Sequence, residues 1–278
     1  MDSETGAGSW VRAARASHDR LSGIVGTLDA AGLRRQSYAT EWSIAQVLSH
    51  LGSGAEIFLL NLEAGLTGGD PPAQETFVRI WDVWNARSPE EQTSQSIAVN
   101  EKLVSRVEGL GPAELEAFRV SMFGMNLDIT GVLRMRLSEH AVHTWDVAVA
   151  VDPAARVSAD AVGLLIDGIP QMMAWMSKKA ADPAVIAITT TDPAREYTLD
   201  TGGVTLTPGL PASATGSLEL PAEALLRLVY GRLDESAVAS GEVRASNVDL
   251  AALRTVFPGF VRTRGTGRRY SAGAFSRV

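Results

Sequence analysis

The sequence contains no cysteine in its 278 residues. Disulfide bonds, thiolate metal ligands and a cysteine nucleophile are therefore excluded. A metal ion would have to be held by histidine and carboxylate side chains, and any thiol chemistry would need a thiol supplied from outside. The histidines are His18, His50, His140 and His143. Few metal-ligand sets are therefore available.

Long apolar runs and a basic, apolar leader are also missing. Charged or small polar residues interrupt the apolar stretches, and the segment Met1–Glu4 is acidic. We therefore predict neither a signal peptide nor a membrane span, and we expect a cytoplasmic protein. The net charge of −7 repels phosphate backbones and anionic lipid surfaces, so neither nucleic acid nor a membrane is an expected partner. The length of 278 residues corresponds to one large or two modest domains, and the apolar fraction of 45% is enough to bury a substantial core.

The first half of the sequence has the apolar periodicity of helices. Alternating spacings of three and four residues predict a helix over Trp10–Leu28, with Gly32 as its end. Capping-box patterns at Ser43–Gln46 and Ser88–Glu91 predict the starts of two further helices, and a fourth long helix lies within Ile129–Val151. Four long helices with short polar connections favour an antiparallel bundle.

The second half changes in character near Asp152. One more helix, over about Ser158–Ala181, precedes short β-branched segments that are separated by glycine and proline. Strands beside segregated helices are typical of an α+β domain. We therefore predict a helical domain over residues 1–152 and a smaller α+β domain over residues 153–278. The predicted strands are Ala184–Thr191, Glu196–Leu199, Val204–Leu206 and Ala214–Leu220, followed by helices from Pro221 and within Asn247–Phe257.

Two carboxylates lie on the apolar seam of the fourth helix. They are Glu139 and Asp146, and His143 follows Glu139 by one helical turn, so one cation could contact both Glu139 and His143. A buried ionised carboxylate is costly unless it is paired or bound to a metal. The alternative is a surface ion pair between Glu139 and His143, with Asp146 either supporting a ligand or pairing helices.

His50 lies at the edge of the apolar stripe of the second helix. Taken alone it could be a hydrogen-bonded histidine of the core or its rim. Together with Glu139 and His143, it would complete a set of two imidazoles and one carboxylate. Such a set leaves a coordination position open for water or substrate, as a catalytic zinc requires.

Three further residues are weaker candidates. His18 lies on a helical seam, where it is either a packed neutral histidine or a cofactor contact. Trp145 either packs in the core or lines the cofactor pocket. Arg232 ends an apolar helix, where it either faces the helix dipole or binds a substrate carboxylate.

Four segments together resemble a known family. They are Glu41–Leu51 (EWSIAQVLSHL), Trp81–Glu91 (WDVWNARSPEE), Glu139–Ala148 (EHAVHTWDVA) and Leu218–Arg232. The first three are similar to the N-terminal domain of the mycothiol-dependent maleylpyruvate isomerase family, a DinB-like metal-binding four-helix bundle. The fourth resembles the sterol-carrier-like C-terminal domain of that family.

The resemblance implies a site and a reaction. By similarity, His50, Glu139 and His143 match the family's zinc ligands, and Arg232 matches an arginine expected to hold an anionic substrate. The resemblance also implies Zn²⁺ or another divalent metal, mycothiol as cosubstrate and a small, anionic electrophile as substrate. Water or Asp146 would move the protons. The reaction is then an isomerisation or an S-transfer. An apolar-ligand binding module without catalysis and a thiol-independent, metal-dependent hydrolase are the alternatives. The sequence does not predict an oligomeric state.

Overall fold

The computed structural model describes residues 6–39, 41–122 and 124–259, which form two compact units. The first unit ends at Val157 and the second begins at Ser158. The first is helical with one two-stranded hairpin, and the second combines a five-stranded sheet with short helices. The predicted order of a helical domain followed by a smaller α+β domain is confirmed. In the described part of the chain, no helix is both long enough and apolar enough to cross a membrane.

Four long helices form the body of the first unit. Helices α3 and α1 each pack against both α5 and α7. Shorter elements connect them, and α4 packs along α3. In chain order the elements are α1 (Ala7–Val25), α2 (Ala30–Leu33), α3 (Ile44–Thr67), α4 (Gln74–Ala86), α5 (Pro89–Glu108), α6 (Pro112–Ala117), β1 (Val120–Met122), β2 (Met125–Leu127) and α7 (Ile129–Val151).

Local side-chain chemistry sets the helix ends. Both predicted capping boxes form, because Ser43 and Ser88 each accept a hydrogen bond from the backbone of the third residue that follows. Gly68 ends α3 in the left-handed conformation, with φ of 66°. The prediction that α1 runs to Gly32 is wrong. The helix ends at Val25, and the Asp29 side chain caps the new short helix α2 by accepting from Gly32 N.

Helices α3 and α4 approach each other closely at Gly52. A Cβ atom placed on Gly52 would lie 2.2 Å from the Trp84 ring, so only glycine allows this approach. Leu48 and Leu51, on the same helix, are completely buried. The position of α3 is thus fixed by close packing on both sides of its middle turns.

The second unit is built on one mixed sheet in the order β5-β4-β3-β6-β7. Its strand pairs are antiparallel except for β3 and β6, which run parallel. Helix α10 packs on β3 and β6 and helix α9 packs on β5. The elements are α8 (Ala159–Leu165), α9 (Ile169–Met176), β3 (Val185–Thr191), β4 (Arg195–Asp200), β5 (Thr205–Pro208), β6 (Gly216–Pro221), α10 (Ala222–Val229), α11 (Ser236–Ala239), β7 (Arg244–Ser246) and α12 (Leu250–Val256).

Two expectations for the second unit need correction. The single helix expected over Ser158–Ala181 is divided into α8 and α9 by a 3-10 turn at Ile166–Gly168. Pro170 lies in the first turn of α9, where backbone N–H groups have no partner within the helix, so a residue without an N–H costs no helical hydrogen bond. Strand β7 was not predicted, because three residues are too few to show a periodic pattern.

The close approach at Gly52 gives a stability prediction. Gly52→Ala is expected to lower the free energy of unfolding by about 1–3 kcal/mol, because the added methyl group must displace the Trp84 ring. Gly23→Ala is the matched control. Gly23 is an exposed glycine of α1 with open space around its Cα, so this change is expected to raise the stability by about 0.5–1 kcal/mol. Urea unfolding followed by circular dichroism measures both, and equal effects would contradict the packing described here.

Candidate metal centre

Helices α3 and α7 bring two imidazoles and one carboxylate together. His50 lies on α3, and Glu139 and His143 lie one turn apart on α7. Glu139 Oε2 is 3.1 Å from His50 Nε2 and 3.6 Å from His143 Nε2. One potential ligand atom from each residue lies within 4.8 Å of the others. The structure thus brings together the three residues that the sequence predicted as metal ligands.

Asp146 orients one of these imidazoles. Its Oδ2 is 2.8 Å from His143 Nδ1, and the carboxylate is completely buried. With the Nδ1–H donating to Asp146, the His143 Nε2 keeps its lone pair on the side of Glu139. The backbone carbonyl of Asp146 also accepts from the Tyr38 amide at 3.1 Å. Asp146 thus contacts His143 directly, and its expected roles in supporting a metal ligand and in moving protons stay predictions.

The cluster is open on one side. The side chains of His50 and Glu139 are 27% and 29% exposed, whereas that of His143 is only 6% exposed. A ligand can therefore approach from the side of His50 and Glu139, while His143 is fixed in the protein interior.

Trp42 forms an aromatic wall of the cluster. Its ring centroid is 5.1 Å from that of His50 and 5.9 Å from that of His143, and the two imidazole rings are 4.7 Å apart. The apolar periodicity of the sequence did not predict this contact. A signal was present, because Trp42 immediately precedes the capping residue Ser43 and so must lie at the start of the helix that carries His50.

The donor set fits a divalent transition metal. Two neutral imidazoles and one carboxylate are the ligands of many catalytic zinc sites, where a fourth position remains for an exchangeable ligand. The carboxylate–imidazole pair of Asp146 and His143 is the usual support for such a ligand. The partial exposure of His50 and Glu139 leaves room for an entry path.

His18 lies apart from this donor set. Its Nε2 is 3.1 Å from Glu101 Oε2 and 3.4 Å from Ser22 Oγ, and its ring centroid is 6.5 Å from that of His140. Burial lowers the pKa of His18, which favours the neutral ring. Glu101 in turn bonds Arg15, which lowers the pKa of the Glu101 carboxyl to about 2. These contacts do not test the predicted cofactor contact of His18, which stays a prediction.

Trp145 and Arg232 are both buried. The Trp145 indole N–H donates to the Ala155 carbonyl at 2.9 Å, and its ring makes an edge contact with Tyr38 at 4.7 Å. Arg232 belongs to the second unit, where its Nη1 donates to the Tyr230 carbonyl at 2.7 Å. The roles expected for both residues stay predictions.

The fold and the donor set together define a helical bundle with a candidate metal centre between two of its long helices. Residues 14–148 match the family model described as the mycothiol maleylpyruvate isomerase N-terminal domain. The helical unit of this chain thus matches that domain family, as the sequence resemblance predicted.

Solved structures support the same fold for most of the chain. The crystal structure of a mycothiol-dependent maleylpyruvate isomerase aligns with a TM-score of 0.65 and 13% identity, covering 88% of this chain and 94% of that one. A histidine-to-alanine mutant of such an isomerase aligns over the same shares, with a TM-score of 0.63 and 14% identity. A sterol carrier protein 2-like protein from Aedes aegypti aligns with 33% of this chain and 88% of its own, at 18% identity and a TM-score of only 0.25. The sterol-carrier-like character of the second unit therefore stays a prediction. No curated protein matches the sequence.

The contact of Trp42 with both imidazoles gives a spectroscopic prediction. Adding Co²⁺ to metal-free protein is expected to quench part of the tryptophan emission and to saturate at one equivalent, because Trp42 lies beside both rings. Trp42→Phe is expected to remove the metal-sensitive part. Trp10→Phe, a change on α1, is the matched control and is expected to retain it. Quenching that persists in Trp42→Phe would place the ion elsewhere.

Proposed function

We propose that this protein is a zinc-dependent isomerase that uses a low-molecular-weight thiol, mycothiol, to act on a small anionic electrophile. The observation that carries the proposal is the convergence of His50, Glu139 and His143 within 4.8 Å. The domain family of the helical unit supports the choice of mycothiol, because the family description names this thiol. The isomerase that shares the fold supports the choice of reaction.

Each residue of the cluster would have a separate role in binding the ion. His50 and Glu139 would bind it from the exposed side, and His143 would bind it through Nε2 from the interior. Asp146 would hold the His143 ring in that orientation through Nδ1. When bound, a divalent zinc ion supplies a positive charge that lowers the pKa of a thiol, so that thiolate is available near neutral pH.

The thiol must come from outside the chain, because the sequence has no cysteine. Trp42 would shield one side of the thiol site from water, since its ring covers both imidazoles. His18 and Trp145 are the candidate contacts for the body of mycothiol. Arg232 is the candidate for the substrate carboxylate, since a guanidinium matches a carboxylate with two parallel hydrogen bonds.

The isomerisation itself is balanced in atoms and electrons. The thiolate adds to a carbon–carbon double bond conjugated to a carbonyl, which forms a C–S bond and moves an electron pair onto the carbonyl oxygen. The former double bond then rotates as a single bond. Collapse of the enolate breaks the C–S bond and returns the thiolate, so the thiol is not consumed. In an S-transferase, a proton would instead reach the substrate carbon and the sulfur would remain attached, with water as the proton source.

A screen of electrophiles with and without mycothiol tests the proposed activity. Cis-configured, carboxylate-bearing enones are the first substrates to use, and mass spectrometry with chromatography separates an isomer from a sulfur adduct. Turnover that requires mycothiol and gives an isomer of unchanged mass is the expected result. An accumulating adduct would indicate the S-transferase. Equal turnover without thiol would indicate the hydrolase, and a co-purified lipid with no turnover would indicate the binding module.

Removal of one ligand is expected to remove the metal. The purified protein should contain one zinc per chain by elemental analysis, and His50→Ala should lose nearly all of it together with thiol-dependent turnover, because two donors bind zinc much more weakly than three. His18→Gln replaces a buried histidine outside the donor set and should keep its zinc. A wild-type protein that stays metal-free after zinc supplementation would contradict the proposal.

The support from Asp146 is expected to affect metal affinity without removing a ligand. Asp146→Asn keeps the size of the side chain but loses its charge, so the zinc affinity should fall by about 10–100-fold. Asp82→Asn removes an exposed carboxylate of α4 and should leave the affinity unchanged. Competition with a chromophoric chelator measures both. An unchanged affinity in Asp146→Asn would show that the carboxylate does not support the ligand.

A further inference from the structure

A small cavity lies inside the helical bundle, between α1, α3, α5 and α7. Its volume is about 30 Å³ and its walls are mostly apolar, with Val11, Phe58 and Leu103 among the residues that line it. Its polar lining comes from Asn100, Arg136 and His140. The three residues of the candidate metal centre do not line it, so the cavity is a separate site.

Arg136 brings a positive charge to this apolar cavity. Its Nη2 donates to the Leu51 carbonyl at 2.9 Å and to Asn100 Oδ1. In the same residues, no carboxylate is close enough to form an ion pair with it. Burial lowers the pKa of Arg136 to about 10, so the guanidinium is still charged at neutral pH.

The nearest negative charge is already engaged elsewhere. Glu139 attracts Arg136 only through space, and its carboxylate lies against the two imidazoles of the candidate metal centre. A bound divalent ion would compensate the Glu139 charge there. Arg136 would then be a buried cation without a counterion, which is an unfavourable state in an apolar interior.

His140 supplies a second polar group at the same wall. The residue is 5% exposed and its Nδ1 lies 2.8 Å from Ser17 Oγ and 3.3 Å from Thr144 Oγ1. Its Nε2 is completely buried and has no hydrogen-bond partner among the residues that the structure describes. When the Ser17 hydroxyl donates to the single lone pair of Nδ1, the ring proton lies on Nε2 and needs an acceptor.

We propose that this cavity binds one small monovalent anion of the size of chloride, held by the Arg136 guanidinium and by the His140 Nε2–H. The volume decides the size of the ligand. A water molecule needs about 10–15 Å³ of such space, so the cavity of about 30 Å³ has room for a monatomic ion or two waters. Water would satisfy the imidazole N–H but would leave the charge of Arg136 uncompensated, whereas a halide satisfies both.

Thermal unfolding of the full-length, zinc-loaded protein tests the proposal in solution. Sodium chloride and sodium bromide are compared with sodium gluconate at equal ionic strength, because gluconate is too large for the cavity. The halides are expected to raise Tm saturably by about 2–4 °C. Arg136→Met should lose this response, and Arg134→Met, which removes a charge outside the cavity lining on the same helix, should keep it.

Two further measurements separate this cavity from other binding sites. His50→Ala should keep the halide response, because a halide bound at the metal centre would be lost with the metal. A crystal of the unmodified protein grown in bromide should show an anomalous peak between Arg136 and His140. This measurement does not depend on whether Arg136→Met folds. No halide-specific shift, a shift retained in Arg136→Met, or density for water alone in the cavity would overturn the proposal.

Discussion

The candidate site depends on how α3 packs against α7. The closest donor pair, His50 and Glu139, is 89 positions apart in sequence, so their 3.1 Å approach is set by helix packing. The residues that fix this packing lie next to the donors. Leu51 follows His50, Leu137 precedes Glu139 by two positions, and both are completely buried. Because protein interiors are packed at near-crystalline density, changes in side-chain volume at these buried positions are felt by their neighbours. The geometry of the polar cluster therefore depends on the packing of the hydrophobic core beside it.

The sequence predicted what depends on local chemistry. Ser43 starts α3 as expected because its hydroxyl and the Gln46 side chain satisfy the first amides within four residues of chain. Glu139 and His143 were paired from their spacing alone, since one helical turn brings two side chains together whatever the rest of the fold does. His50 could be placed with them only through the family resemblance, because periodicity identifies the apolar face of a helix but not the helix it meets.

The missed features are those that depend on distant contacts or on very short segments. The contact of Trp42 with two imidazoles involves both α3 and α7, so no pattern within either helix shows it. The hairpin of β1 and β2 was not predicted because each strand has only three residues. Helix α7 also buries polar residues, including Arg136 and Asp146. A search for apolar periodicity therefore finds fewer buried positions on this helix than the structure has. Each of these buried polar groups needs its own hydrogen-bond partner or counter-charge.

Asp146 has a consequence for the segment that precedes α3. Its side chain holds His143, and its backbone carbonyl accepts from Tyr38. At its far end the same segment is closed by the Ile44 amide, which donates to the Arg35 carbonyl. The segment is thus held by two backbone hydrogen bonds, Tyr38 to Asp146 and Ile44 to Arg35, and Asp146 also contacts the His143 ring. An insertion or deletion between these two hydrogen bonds would shift Trp42 and strain the Asp146 carbonyl at once. Natural variation in length should therefore be rare here, even though the segment is an ordinary interhelical connection.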